Sequence, residues 1–204
     1  YNPHEKRAEH YVQSVWKECG GEQPVATDSW EQLMELTDAI YIASPHETHY
    51  GYMKKALLEN KHVLCEKPMS LQAEEVEEVY DLAERQGCIL LEAVKTAYCP
   101  GFLAMMKMAH SGAIGDICDV EACFTRLTPT NLREYTDAAY GGSLTELGSY
   151  TLLPIIKLMG TKYQDVNFQS VYTPNGVDKF TKMSLTYSKG TALAKVGIGV
   201  KSEG

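Results

Sequence analysis

The chain has 204 residues, 44% hydrophobic and 23% charged, with 19 Lys and Arg against 27 Asp and Glu for a formal net charge of -8. That length and apolar content suit one large or two small folded domains, and an acidic balance with scattered bases argues against a nucleic-acid face, which needs clustered Lys and Arg. No apolar run reaches the ~18 residues of a membrane span and the start carries no signal-peptide pattern, so the reading is a cytoplasmic protein without nucleic-acid or membrane partners.

The first predicted helix is capped at Asn2, has Pro3 at its first position and Glu5 at its third, and carries Ala8, Val12, Val15, Trp16 and Cys19 on one face before Gly20 and Gly21 stop it. Asp28-Ser29-Trp30-Glu31 reads as a second capping box that opens a short helix through Leu36. Strand 39–44 follows, then a helix over 47–59, a turn at Asn60 and strand 62–65. Ser70 is expected to cap the next helix, whose Val76, Val79, Tyr80 and Ala83 form a stripe that Gly87 ends, and 88–91 is the next strand. Strands alternate with helices and show no period-two polarity, the pattern of a parallel sheet covered on both faces, so the class is α/β.

Ligands of such sheets bind beyond the carboxyl ends of the strands. Polar residues collect there: Ser44, Pro45, His46, Glu47 and His49 after the first strand, Glu66-Lys67-Pro68 after the second, Glu92 and Lys95 after the third.

In the second half, 100–109 reads as a helix with Phe102, Met105, Met106 and Ala109 on its apolar side, and 117–125 as a strand. Residues 128–140 read as a polar loop, 143–158 as a helix, and 166–200 as antiparallel strands turned at Pro174-Asn175-Gly176 and Ser188-Lys189-Gly190. Residues 1–95 hold 18 acids and 9 bases, residues 96–204 hold 9 and 10, and this break suggests domains 1–95 and 96–204. The six cysteines lack any Cys-x-x-Cys pair and read mostly as buried free thiols. A His46/His49 metal pair lacks a third ligand, so no metal is expected.

Ile42-Ala43-Ser44-Pro45-x-x-x-His49 followed by Val63-Leu64-Cys65-Glu66-Lys67-Pro68 resembles the glucose-fructose oxidoreductase, inositol dehydrogenase and rhizopine catabolism (Gfo/Idh/MocA) family of NAD(P)-dependent oxidoreductases. Glu92-Ala93, Gly112-Ala113-Ile114-Gly115 and the run Gly141 to Tyr150 agree in the same order. The resemblance implies an incomplete Rossmann-type parallel sheet followed by an α+β domain with a mainly antiparallel sheet. It also implies a fragment: no Gly-x-Gly-x-x-Gly turn for a pyrophosphate is present, a strand, turn and helix are expected upstream of Tyr1, and the C-terminal sheet reads as truncated.

The resemblance assigns Lys67 to the proton and charge of the reacting oxygen, as an ammonium that hydrogen-bonds it. Glu146 and Tyr150, four apart on one helical face, stand where the family usually has Asp and His; Tyr150 becomes the proton shuttle, its phenol aided by the Lys67 ammonium, and Glu146 binds substrate. Ser44, Pro45, His49, Glu66 and Lys67 would line the NAD or NADP cofactor. Asn2 falls where the adenosine ribose is read and leaves the choice of dinucleotide open, with His4 and Arg7 near a 2'-phosphate as the alternative to an exposed helix. Lys95 replaces a family arginine near the substrate, with Tyr98 beside it.

The expected activity is hydride transfer to or from a sugar, cyclitol or similar small molecule by a homo-oligomer, dimer or tetramer. An NAD-dependent glycosidase and a non-catalytic cofactor-sensing regulator remain alternatives. The dehydrogenase reading requires the ammonium at 67 and the phenol at 150 to converge.

Overall fold

A computed structural model describes residues 1–19 and 22–202, so the expected stop at Gly20 and Gly21, the side chains of Val15, Trp16 and Cys19, and the last two residues lie outside what is described. The chain forms two compact units, one of Tyr1–Ala43, Thr48–Cys65 and Ala73–Leu91, the other of Ser44–Glu47, Glu66–Gln72 and Glu92–Gly204.

The first unit holds helices α1 (Glu5–Cys19), α2 (Trp30–Leu36), α3 (His49–Leu58) and α4 (Ala73–Gln86), and strands β1 (Ala39–Ile42), β2 (His62–Cys65) and β3 (Leu90–Glu92) in the order β1-β2-β3. β1 and β2 run parallel with Ala39 opposite His62 and Ile42 opposite Cys65. Met53, Ala56 and Leu57 of α3 and Cys65 of β2 are fully buried, and Val63 nearly so. α3 packs on β1, β2 and α4.

Here the sheet departs from expectation. Burial alternates along β1 and β2, and Tyr41, Leu64 and Leu91 remain 57%, 40% and 44% exposed, so the described residues cover one face only. An apolar strand reads the same whether or not its alternate residues are covered, which is why the sequence could not show this.

Local starts shift for identifiable reasons. The Asn2 carboxamide oxygen accepts the His4 N–H at 2.9 Å, an Asx turn that delays α1 to Glu5 instead of Pro3. Ser29, not Asp28, caps α2, accepting the Gln32 N–H at 3.1 Å while its hydroxyl donates to Glu31. The Ser70 hydroxyl accepts the Gln72 N–H at 3.0 Å, and α4 begins three residues after it, at Ala73. In α4 the stripe runs through Val79, Leu82 and Ala83, while Tyr80 is exposed.

The second unit contains α5 (Pro100–His110), β4 (Asp119–Thr125), α6 (Arg133–Thr136), α7 (Ser143–Met159), β5 (Asp165–Tyr172), β6 (Asp178–Tyr187) and β7 (Gly190–Gly197). Its sheet order is β4-β7-β6-β5, antiparallel from β5 to β7 as expected, with β4 added parallel to β7. Ser188 and Lys189 turn the β6–β7 hairpin, Tyr187 pairing with Gly190. α7 packs on β4, β6 and β7 and buries Ile155 against Met183, Leu185, Ala192 and Ala194, while Leu147 packs with Val177, Val196 and Ile198.

The segment read as a loop at 128–140 contains the single turn of α6. In α5, Met106 is the buried methionine and Met105 is half exposed. Cys65 is buried and Cys88 intermediate, but Cys99, Cys118 and Cys123 are exposed, contrary to the expected buried thiols. Cys123 shares the outward side of β4 with Glu121, a side that spacing among apolar neighbours did not reveal.

Candidate functional site

The segments that follow β1, β2 and β3 group with the second unit, and two of them meet the start of α7. Residues remote in sequence fix that start. Gly142 has φ of 109°, a conformation L side chains rarely adopt, and a Cβ there would overlap the Asp178 carboxylate. Asp178 Oδ2 accepts the Leu144 N–H at 3.0 Å and the Thr181 hydroxyl at 2.7 Å. The Ser143 hydroxyl donates to the Asp178 carbonyl at 2.7 Å and accepts the Ile198 N–H at 3.1 Å. Ser143 and Leu144, the first two residues of α7, are thus tied to the start of β6 and to Ile198 just past β7, which fixes the start of the helix that carries Glu146 and Tyr150.

Glu146 Oε2 lies 3.7 Å from Lys67 Nζ and Oε1 lies 3.8 Å from His46 Nδ1. Lys67 Nζ also donates to the Glu146 carbonyl at 3.1 Å and stands 5.7 Å from the centre of the Tyr150 ring. That ring meets Phe124 edge-on at 5.2 Å. The Lys67, Glu146 and His46 side chains are only 14%, 15% and 17% exposed, so the charges of Lys67 and Glu146 are weakly screened by water. The ammonium and the tyrosine therefore come together, with the cation over the face of the ring.

Lys67 itself is held at its backbone. Its N–H donates to Glu66 Oε2 at 3.3 Å, and the Met69 N–H donates to Glu92 Oε1 at 3.0 Å, tying the segment after β2 to the last residue of β3.

A second set of contacts ties the segment after β1 to the loop before α7. Arg133 Nη2 donates to Glu47 at 2.6 Å and to Asp137 at 3.0 Å, and its guanidinium lies 5.9 Å from the Tyr140 ring centre. His46 Nδ1 is 3.4 Å from the Tyr140 carbonyl oxygen. Desolvation pushes the Glu47 carboxyl up, but the Arg133 hydrogen bond and charge, with Glu47's own backbone amide, outweigh it and hold the group below its ordinary range. Asp137 behaves alike: desolvation raises it, and Arg133 with the Tyr140 and Ala139 amides brings it down.

Of the residues singled out from sequence, Lys67, Glu146 and Tyr150 are adjacent, and Glu66 braces Lys67. Ser44 is half-buried and Pro45 exposed, in the second unit. His49 is fully buried in the first turn of α3, and Asn2 caps its own turn, both in the first unit. His4 and Arg7 are exposed. Lys95 and Tyr98 are exposed in a single 3-10 turn, and among the described residues no ion pair joins Lys95 to Glu146. Sequence reasoning missed Asp178 and Arg133, and weighed His46 only beside His49, whereas its carboxylate partner is Glu146.

Residues 1–94 match the oxidoreductase family with an NAD-binding Rossmann fold, and residues 102–200 match the GFO/IDH/MocA C-terminal domain. The chain belongs to the Gfo/Idh/MocA oxidoreductase family. It is 32% identical over 175 residues to scyllo-inositol 2-dehydrogenase (NADP(+)) IolU of Bacillus subtilis, covering 79% of this chain and 52% of that protein. It is likewise 32% identical over 170 residues to trans-1,2-dihydrobenzene-1,2-diol dehydrogenase of Sus scrofa, covering 82% and 51%. The fold is shared with the aldose-aldose oxidoreductase of Caulobacter crescentus, solved with glycerol, at a TM-score of 0.81 and 20% identity over 94% of this chain and 61% of that one. The chain thus spans about half the length of the curated relatives it matches.

Proposed function

We propose that the protein is an NAD(P)-dependent oxidoreductase that moves hydride between nicotinamide and a hydroxyl-bearing or carbonyl carbon of a sugar, cyclitol or related polyol. The observation that supports this reading best is the half-buried group of Lys67, Glu146 and Tyr150. In it the Lys67 ammonium hydrogen-bonds the reacting oxygen and stabilises the charge that develops there, Tyr150 passes the proton, and Glu146 accepts a neighbouring substrate hydroxyl. Two of the named relatives act on cyclic compounds with adjacent hydroxyls, which favours that class.

The donor set after β1 and β2 fits the riboside end of a nicotinamide dinucleotide. Ser44 offers a hydroxyl and Glu66 a carboxylate for the ribose, Pro45 an apolar wall, and Lys67 adjoins the reacting oxygen. When bound, the nicotinamide supplies the hydride acceptor; Asn2 and His49 remain cofactor assignments that rest on the family resemblance, and Lys95 a substrate assignment of the same kind. We further assign residues 1–95 to the dinucleotide-binding domain and 96–204 to the substrate domain, of a cytoplasmic homo-oligomer. Among the described residues no helix is long and apolar enough to cross a membrane.

The test is spectrophotometric. The full-length protein with NAD+ or NADP+ and a panel of inositols, aldoses and cyclic trans-diols is expected to produce reduced dinucleotide with at least one cyclic polyol. Glycoside cleavage without net reduction would favour the glycosidase alternative, and cofactor binding without any turnover the regulatory one.

A further inference from the structure

Glu146 lies between two nitrogen bases, and the two ends of its carboxylate are divided between them. Oε2 is 3.7 Å from the Lys67 ammonium and Oε1 is 3.8 Å from His46 Nδ1. The Tyr140 carbonyl, 3.4 Å from the same Nδ1, can only accept, so that nitrogen carries the proton of the neutral ring. We infer that His46 is a positioning residue for Glu146: neutral, its Nδ1–H is donated to the Tyr140 carbonyl and keeps the positive edge of the ring 3.8 Å from Oε1, outside hydrogen-bond reach, which leaves the carboxylate turned to a substrate hydroxyl; as an imidazolium, it draws Oε1 into an ion pair and withdraws it from substrate. This inference rests on the proposed oxidoreductase reading.

The surroundings give the arrangement its sensitivity. Facing or flanking the imidazole are Glu146 from α7, Lys67 on the far side of that carboxylate, and Glu47, whose charge is taken up by Arg133. Arg133 in turn pairs with Asp137 and lies over the Tyr140 ring. Glu146 is thus the carboxylate that gains a second cation when His46 is protonated, and an opposite charge this close in a poorly hydrated place favours the protonated ring.

Two measurements on the full-length protein test this, one of them independent of turnover. First, the His46 imidazole is titrated by NMR, its signal assigned by its loss in H46N. In E146Q the midpoint is expected to move to lower pH; an unmoved midpoint would overturn the inference. Second, kcat/KM for scyllo-inositol is measured from pH 5 to 9 in wild type, H46N and H46L. The wild type should lose activity as pH falls through the midpoint found by NMR. H46N, which keeps an N–H near Nδ1 but does not titrate, should lose that acid limb. H46L should show a KM several-fold above that of H46N. Persistence of the limb in H46N, or equal KM in the two variants, contradicts the inference. If neither scyllo-inositol nor any other polyol is turned over, the oxidoreductase reading fails while the NMR comparison still decides the coupling.

Discussion

Replacing Lys67 by Met in the full-length protein is expected to lower kcat by ~100- to 10,000-fold, the range seen when a positioned acid or an electrostatic donor to the reacting oxygen is removed. Met keeps the length and the apolar stem of lysine and deletes the charge, so it tests the ammonium and not the space it fills. Dinucleotide affinity should change much less, because the altered group addresses the reacting oxygen. The change also leaves Glu146, 15% exposed, without its 3.7 Å cationic partner. Some loss of stability is therefore expected, and a melting curve should accompany the kinetics to separate misfolding from lost chemistry. Turnover within tenfold of wild type, with a normal melting curve, would remove Lys67 from the reaction.

Asp178→Ala is expected to destabilise the second unit by ~2 kcal/mol, the sum of a lost helix cap and a weakened buried hydroxyl network. The carboxylate serves the Leu144 N–H and the Thr181 hydroxyl, and Thr181 is 1% exposed. Thr181 keeps the Ser170 hydroxyl at 2.8 Å, which bounds the penalty on that side. Asp178→Asn retains an acceptor for Leu144 and should lose less than half as much. Urea unfolding measures both through the midpoint at constant slope. Equal losses in the two variants would mean that the negative charge, which both lack, and not the acceptor or the volume, is the property that counts. Because the same cap aims α7, Asp178→Ala should also depress turnover more than Asp178→Asn does.

Much of this was legible from sequence where local rules dominate. β2 falls on His62–Cys65 as read, because an apolar run bounded by Asn60 and by Glu66-Lys67-Pro68 leaves little choice of ends. The β6–β7 turn sits at Ser188-Lys189, where turn chemistry and flanking alternation coincide. Glu146 and Tyr150 share a side of α7 because helical spacing puts residues four apart on one side.

What was not legible depends on residues far apart in the chain. Asp178 caps a helix that starts more than thirty residues earlier, and no local pattern marks an acid at a strand start as a cap. Arg133 and Glu47 pair across 86 positions. The parallel addition of β4 to β7 depends on strand order, which alternation along a single strand does not encode. In the sequence His46 is weighed, and set aside, only as half of a metal pair, because spacing shows His49 and cannot show Glu146.

The central claim is that Lys67 and Tyr150 work as one unit on the reacting oxygen, and a double-mutant cycle in kcat with Lys67→Met and Tyr150→Phe tests it most directly. Phe keeps the ring contacts with Lys67 and Phe124 and removes only the hydroxyl. The account predicts that each single change is severely impaired and that the double variant is little worse than Lys67→Met alone, as for groups that act together. A Tyr150→Phe enzyme as fast as wild type, or losses that simply multiply, would contradict it.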